Sequence, residues 1–309
     1  MDIKHLEYII KIADEGSITK AAAKLYITQS ALNQQLLKLE KEIGVSLFNR
    51  MHNKLTTTQE GEVYISAAKQ IIAIKNDTYN EIKDLANIHK QELSIGFTPA
   101  RGIAMFSGVY PSFHKLFPDI KLTLHELGVY KQLELVQLGE IDIAFVNVKE
   151  TDQKSSIEYV VFAEDEMLLA VPKDNSINSK AKSISANGVG TIDLSLFNDE
   201  EFILMNKNST LRNLQDECFK KAKIKPNILF ETENNATVIT MIENNIGCGF
   251  LPAYYVDLTN DKVRYYSIEG KPSTFMCAAF KKNRYKTKAA KQFTTLAAKY
   301  WQKAIPKNL

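Results

Sequence analysis

The sequence predicts an α/β protein in three consecutive parts: an all-α N-terminal unit with a small β wing, one long helix, and a two-lobed α/β remainder. Three observations carry this. Apolar residues recur at helical spacing through residues 3–43, with caps and glycines between the segments. From Gln59 to His89 there is no proline, and the one glycine, Gly61, falls in the first turn. Beyond Glu92 the period changes, and short apolar runs alternate with helical stretches, twice over.

In the first part, Ile3, Leu6, Ile9, Ile10 and Ala13 form one apolar face of an amphipathic helix. Gly16 suits the left-handed position after it, and Ser17 is an N-cap for a second helix to about Leu25. The run Ala21-Ala22-Ala23 lets another helix approach closely. After the turn Tyr26-Ile27, Thr28 caps a third helix to about Ile43, with Leu32, Leu36 and Leu39 inward and Gly44 as its stop. Two short helices joined by a tight turn make a helix-turn-helix. The exposed face of the third helix carries Gln29, Ser30, Asn33 and Gln34 in its first two turns, then Lys38. Side-chain amides can bond base edges in the major groove, while hydroxyls, lysines and the helix start hold phosphates. A solvated polar face fits the same pattern. Val45 to Phe48 and Thr56 to Thr58 read as two extended segments around a polar tip, Asn49 to Lys54, from which Arg50 and Lys54 reach backbone or minor groove. Residues 1–58 hold eight basic and six acidic side chains, so charge alone decides nothing.

These residues resemble the DNA-binding domain of LysR-type transcriptional regulators. The resemblance rests on Glu15-Gly16-Ser17-Ile18-Thr19-Lys20-Ala21-Ala22, on Leu25-x-x-Thr28-Gln29-Ser30-Ala31-Leu32, on Leu39-Glu40-x-x-Ile43-Gly44-x-x-Leu47-Phe48-x-Arg50, and on Thr58-x-x-Gly61. Ser30 stands where the family usually has proline, Asn33 where it has serine, and Asn53 where it often has arginine. Asn33 changes the base-reading set, and Lys54 is the substitute for the wing arginine.

In the long helix, Tyr64, Ala67, Ile71, Ile74, Thr78, Ile82 and Leu85 are spaced by 3, 4, 3, 4, 4 and 3 residues, a near-heptad seam. About thirty residues would span ~45 Å. Such a seam is expected to meet a second copy, and the resemblance implies the linker helix that makes the family's homodimer.

The remainder alternates strand and helix: Leu93 to Phe97, a loop Thr98 to Gly102, a helix to Phe117, a strand at Ile120 to Leu124, a helix Val129 to Leu138 and a strand Ile141 to Val146. The pattern returns with Phe202 to Met205, a polar loop, a helix Leu211 to Ala222, Ile228 to Phe230, a helix Thr237 to Glu243 and a turn into Phe250-Leu251-Pro252. This predicts parallel sheets in two similar lobes, with the chain crossing near Tyr159 to Ala163 and returning near Val263 to Ile268. The expected divisions are 1–58, 59–91 and 92–309, with lobe I at about 92–162 and 268–309 and lobe II at about 163–267. Leu93-Ser94-Ile95-Gly96, Phe117-Pro118-x-Ile120 and the runs Leu138 to Phe145 and Ile246 to Pro252 resemble the same family's effector domain, itself periplasmic-binding-protein-like.

Ligands of open sheets bind at the carboxyl ends of the strands. That places Thr98, Pro99 and Arg101, then Val129, Asn147, Asn206, Ser209, Thr210 and Asn234, around the cleft. Helix starts, hydroxyls and amides suit a small organic anion, with Arg101 as counter-charge. A surface arginine is the competing reading of Arg101. Val129 stands where the family often has a hydroxyl, which leaves room for a less polar ligand.

Composition bounds the function classes. The chain has 309 residues, 45% hydrophobic and 24% charged, and a net charge of +3, so it is neither a polycation nor a disordered acidic chain. No run reaches the length of a membrane helix, and Met1-Asp2-Ile3-Lys4-His5 lacks signal-peptide order, so a cytoplasmic protein is expected. Cys218, Cys248 and Cys277 show no paired spacing, and the five histidines no ligand spacing; no metal or cofactor is expected. Ser17-Ile18-Thr19-Lys20 and Ser112-Phe113-His114-Lys115 match S-x-x-K without its companion motifs, and Gly188-Val189-Gly190 lacks a third glycine. No nucleophile–base set emerges, so an enzyme is not expected. The expected function is regulation of transcription on double-stranded promoter DNA, modulated by a small effector. The alternative is a receptor whose cleft is the main activity. A homotetramer is implied by the resemblance.

Overall fold

The computed structural model describes residues 2–51, 54–86, 92–99, 101–184 and 188–304, apart from the side chains of residues 50, 51 and 54. Helices α1 (Ile3–Glu15), α2 (Ile18–Lys24) and α3 (Gln29–Ile43) open the chain. Their limits are set locally. The side chains of Asp2, Ser17 and Thr28 accept from the first turns of α1, α2 and α3, and Gly16 and Gly44 take left-handed conformations at the ends of α1 and α3. Ile9, Ile12, Leu32 and Leu36 are wholly buried in one cluster with Ala21 and Ala22, where methyl side chains let the helices close.

Strands β1 (Phe48–Met51) and β2 (Lys54–Thr57) pair antiparallel as the wing. The first wing strand begins further along than the sequence predicts and the second begins earlier, so the two strands extend into the expected tip. Residues 45–47 are not strand, because Glu40 Oε1 accepts from Leu47 N and Phe48 N at 2.7 and 3.3 Å, and the Leu47 carbonyl accepts from Thr58 N. That segment is tied to α3 and the start of α4, not to a strand partner. Of the expected tip, residues 52–53 lie outside the described residues.

Helix α4 runs Gln59–Leu85, capped by Thr58. The expected end at His89 lies outside the described residues. Tyr64 departs from the expected seam: it packs on the N-terminal core with Ile65. The opposite flank is fixed to the C-terminal part. Arg284 Nε contacts Asp77 at 2.6 Å and Arg284 Nη2 contacts Asp142 at 2.8 Å. Asp84 accepts from Tyr285 OH and Lys288 N. Lys69 bridges Glu140 at 2.7 Å and Asp14 at 3.8 Å, joining both neighbours of the helix. Ile74, Ile82 and Leu85 of the expected seam remain exposed, Leu85 at 78%, as does Tyr79.

The remainder has two lobes. Lobe I contains β3 (Glu92–Phe97), α5 (Arg101–Leu116), β4 (Lys121–Glu126), α6 (Val129–Leu138) and β5 (Ile143–Val148). Strand β6 (Ile157–Pro172) belongs to both lobes. After it come β7 (Ser183–Ile184), β8 (Gly190–Thr191), β9 (Glu201–Met205), α7 (Thr210–Ala222), β10 (Asn227–Thr232), α8 (Asn235–Glu243), β11 (Cys248–Pro252) and β12 (Val263–Ser267). The chain then returns to lobe I through β13 (Ser273–Lys281) and α9 (Lys288–Ala304). The strand order is β10-β9-β11-β6-β13-β5-β3-β4, with β12 also on β6.

The strands β3, β4 and β5, and likewise β9, β10 and β11, run parallel as predicted. The crossing strands do not: β6 and β13 run antiparallel to each other and to their neighbours. The expected crossing at 159–163 is part of a 16-residue strand that pairs with β13 up to Glu166 and with β11 from Met167. The partner changes there because Glu164, Asp165 and Glu166 interrupt an apolar run, so neither sheet's core continues through them. In lobe I, Phe97, Met105, Phe113, Phe145, Phe293 and Trp301 pack one face of the sheet, and Leu133, Val136, Ile141 and Val146 the other. Burying a side chain of this size stabilises by ~1.5–3 kcal/mol.

Candidate functional site: a recognition helix and an interlobe cleft

Helix α3 turns Leu32, Leu36 and Leu39 inward, so its opposite side is committed to solvent. Thr28, Gln29, Ser30, Gln34 and Lys38 are exposed there, and Asn33 is half-buried and engaged. Thr28 Oγ1 accepts from Ala31 N at 3.2 Å and lies 3.2 Å from Ser30 Oγ, which sets the first turn of the helix. Gln29, Ser30 and Gln34 thus project from one side of the first two turns, with Lys38 a turn later. The side chains of Arg50 and Lys54 lie outside the described residues, so their reading as wing contacts is carried no further.

The cleft residues divide between the lobes. Thr98 is half-buried and Pro99 exposed at the end of β3. Thr98 O accepts from Gly102 N, which makes Arg101 the first residue of α5 and not part of the expected loop. Arg101 is also not the free counter-charge the sequence suggests. It is buried, its Nη2 contacts Asp165 Oδ2 at 3.1 Å, and its guanidinium carbon lies 4.0 Å from the centre of the Tyr254 ring. Burial raises the Asp165 carboxyl above the ordinary carboxylate range, and the Arg101 cation opposes that rise. The pair is therefore a neutralised hinge contact, with Arg101 from lobe I, Asp165 on the shared strand β6, and Tyr254 following β11.

Beside it, Asn147 on β5 is buried, and its Nδ2 donates to Thr274 Oγ1 at 3.4 Å. Thr274 is the register partner of Asp165, so Arg101, Asp165, Thr274 and Asn147 form one polar group across β6, β13 and β5. Val129 is buried at the first position of α6, whose N-cap Gly128 provides no side-chain cap.

In lobe II, Ser209 caps α7 by accepting from Arg212 N at 3.0 Å, and Thr210 is buried behind it. Asn206 Nδ2 donates to Glu233 Oε1 at 3.1 Å, and Asn234 caps α8 by accepting from Ala236 N. These four serve their own lobe. Direct bridges between the lobes come from side chains the sequence reading missed. Asn213 Nδ2 on α7 donates to Tyr130 OH on α6 at 2.7 Å, and Lys149 after β5 meets Glu217 on α7 at 2.5 Å. Each is an ordinary polar residue on a helix or loop face, and only the approach of the second lobe distinguishes it.

Among the described residues no cluster of three or more His, Cys, Asp or Glu side chains is placed to hold a metal ion. Cys218, Cys248 and Cys277 are all buried as free thiols. No described helix is long and apolar enough to cross a membrane.

The sequence matches the family described as "Bacterial regulatory helix-turn-helix protein, lysR family" over residues 3–62. It matches "LysR substrate binding domain" over residues 87–302. The chain belongs to the LysR family. It is a DNA-binding transcriptional regulator with an effector-binding domain, and this is not a family of enzymes. Among its relatives is the HTH-type regulator YcgK of Bacillus subtilis, 28% identical over 306 residues, spanning 96% of this chain and 94% of the relative. The hydrogen peroxide-inducible genes activator of Haemophilus influenzae is 28% identical over 306 residues, spanning 94% and 95%. The fold is similar to that of full-length OxyR C199D from Pseudomonas aeruginosa, with a TM-score of 0.72 at 20% identity over 96% and 98% of the two chains. It is also similar to full-length CbnR complexed with its target DNA, with a TM-score of 0.58 at 20% identity over 97% and 99%.

Proposed function

We propose that this LysR-family regulator acts in the cytoplasm as a homodimer on promoter DNA, with residues 1–58 binding DNA, 59–91 joining the two copies and 92–309 sensing a small organic effector. The observation that carries the DNA part is the outward face of α3, where Gln29, Ser30 and Gln34 stand together opposite the buried Leu32, Leu36 and Leu39. In this reading Gln29, Asn33 and Gln34 read base edges. Thr28, Ser30 and Lys38, with Arg50 and Lys54 of the wing, hold phosphates. The exposed seam residues Ile74, Ile82 and Leu85 support pairing through α4, since apolar side chains repeating along one flank are satisfied by a second copy. Pairing of dimers into a tetramer extends the same proposal.

The effector occupies the cleft between Thr98, Pro99, Val129 and Asn147 of lobe I and Asn206, Ser209, Thr210 and Asn234 of lobe II. With Arg101 Nη2 held by Asp165, the donors that suit an anionic group are Arg101 Nη1, which has no hydrogen-bond partner among the described residues, and the first-turn N–H groups of α6, which no side chain caps. An effector that prefers one lobe arrangement shifts the angle between the two DNA-binding units, because α4 is fixed to lobe I.

The test is fluorescence anisotropy with the DNA upstream of the protein's own gene against random DNA at two salt concentrations. A specific excess of ~10³-fold or more is expected. Loss of even non-specific binding at low salt overturns the reading.

A further inference from the structure

Helix α2 ends in a paired-bond cap: Ile27 N donates to Ala22 O at 3.1 Å and Tyr26 N to Ala23 O at 3.3 Å. This arrangement puts the residue after the cap in the left-handed region, where glycine is favoured because it has no Cβ to clash. At the ends of α1, α3 and α6 that residue is Gly16, Gly44 and Gly139, with φ of 56°, 85° and 80°. At the end of α2 it is Tyr26, with φ of 56°. The fold gains nothing from the ring, since Tyr26 is 95% exposed. A side chain that strains its backbone and leaves its ring in water is not retained by packing.

Its place suggests what it meets. Tyr26 lies two residues before Thr28, the N-cap of α3, in the turn between the two helices of the DNA-binding motif. When a recognition helix enters the major groove by its N-terminal turns, the turn before it comes to the lip of the groove, where the sugar–phosphate backbone runs. Tyrosine is among the side chains that bond phosphate oxygens there. We propose that Tyr26 is a DNA-contact residue: its phenol donates to a phosphate oxygen beside the groove that α3 enters, and its ring covers the adjoining sugar. This rests on the DNA-binding role of α3. The left-handed backbone is the device that holds the side chain out of the protein.

Tyr26→Gly and Tyr26→Phe in the full-length chain test this, using a fixed-sequence duplex at low salt, denaturant unfolding and solution mass. Tyr26→Gly relieves the strain, so it should unfold at an equal or higher denaturant concentration. It should nevertheless bind the duplex about tenfold more weakly, as expected for loss of a hydrogen bond to a charged group. The salt dependence should not change, because a neutral hydroxyl releases no counterion. Tyr26→Phe should lose most of the same affinity. The proposal is overturned if Tyr26→Gly binds as tightly as the parent, if it unfolds more easily (the ring then serves the fold), or if the solution mass changes while DNA affinity does not (the ring then serves a contact between copies). Undiminished binding by Tyr26→Phe overturns the phosphate bond. Failure of the parent protein to bind any duplex would instead overturn the assignment of α3.

Discussion

Replacing Gly61 by alanine tests how the wing is joined to the linker helix. Gly61 lies in the first turn of α4, where helix propensity alone favours alanine by up to ~1 kcal/mol. The structure predicts the opposite sign. A Cβ at Gly61 would lie 2.0 Å from the carbonyl oxygen and 3.0 Å from the carbonyl carbon of Leu47. Both are backbone atoms, so no side chain can swing away, and the segment must retreat by about 1 Å to reach even a tight contact. The same carbonyl accepts from Thr58 N at 3.0 Å, while Leu47 N is held by Glu40 Oε1 and Ser46 O by Thr58 Oγ1. Overpacking costs ~1–3 kcal/mol, and losing one of these bonds adds ~1 kcal/mol. Against the propensity gain, the net is a loss of ~1–3 kcal/mol from the N-terminal unit. The assay is hydrogen exchange of α1 and α3, whose amides should exchange ~5- to 160-fold faster. The single tryptophan, Trp301, is buried in lobe I, so its fluorescence transition in denaturant should not move. Exchange in α1 and α3 that is unchanged or slower would refute the reasoning, because helix propensity would then outweigh the contact with Leu47.

Other perturbations test the remaining joints. Arg284→Ala leaves Asp77 and Asp142 without their shared cation, although burial already raises both carboxyls. A loss of ~2–4 kcal/mol is expected, with faster exchange in α4 from Ala73 to Leu85; unchanged exchange there would show that this contact does not hold the helix. Arg101→Met should destabilise by ~3 kcal/mol by leaving Asp165 buried and unpaired, and adding Asp165→Asn should recover most of that. A double variant no more stable than Arg101→Met would remove the pair from the account. Burial pushes the Cys218 thiol up to about 11 and those of Cys248 and Cys277 up to about 12. Thiol reagents should therefore label them only as the protein unfolds. Because the unfolded thiols ionise first, each contributes stability that is complete below pH ~8.5 and lost as pH rises toward the folded values, and a flat profile from pH ~9 to ~11 would contradict this. Gln34→Ala should weaken specific DNA binding by ~1–3 kcal/mol and spare binding to random DNA; equal losses on both would exclude base reading by Gln34.

Local signals made the N-terminal helices legible. Ser17, Thr28, Gly16 and Gly44 act within a few residues of themselves, and the spacing of Leu32, Leu36 and Leu39 names the buried face. Ser209 and Asn234, read from the sequence as cleft residues, are also the N-caps of α7 and α8, and α8 begins two residues before the expected Thr237. The first wing strand starts later than the pattern suggests because Leu47 N is satisfied by Glu40, a pairing with no periodic trace. The crossing expected near Tyr159 to Ala163 is part of the longer strand β6, whose apolar pattern Glu164, Asp165 and Glu166 interrupt. Asp165 is tolerated there through Arg101, 64 residues away in sequence.

What the sequence determined by itself is what short-range chemistry can encode: three capped helices with a polar recognition face, a long helix with an apolar flank, and two repeats of strand and helix. What only the tertiary structure decided is how charges are spent. Arg101 read alone is a cation available to a ligand, and Arg284 is one more basic residue near the C-terminus. Folding brings each against carboxylates far away in sequence, one at the hinge and one on the linker helix. A charge in a protein interior is stable only when its partner is there. The partner's identity is set by how the chain crosses between lobes, which no local pattern records.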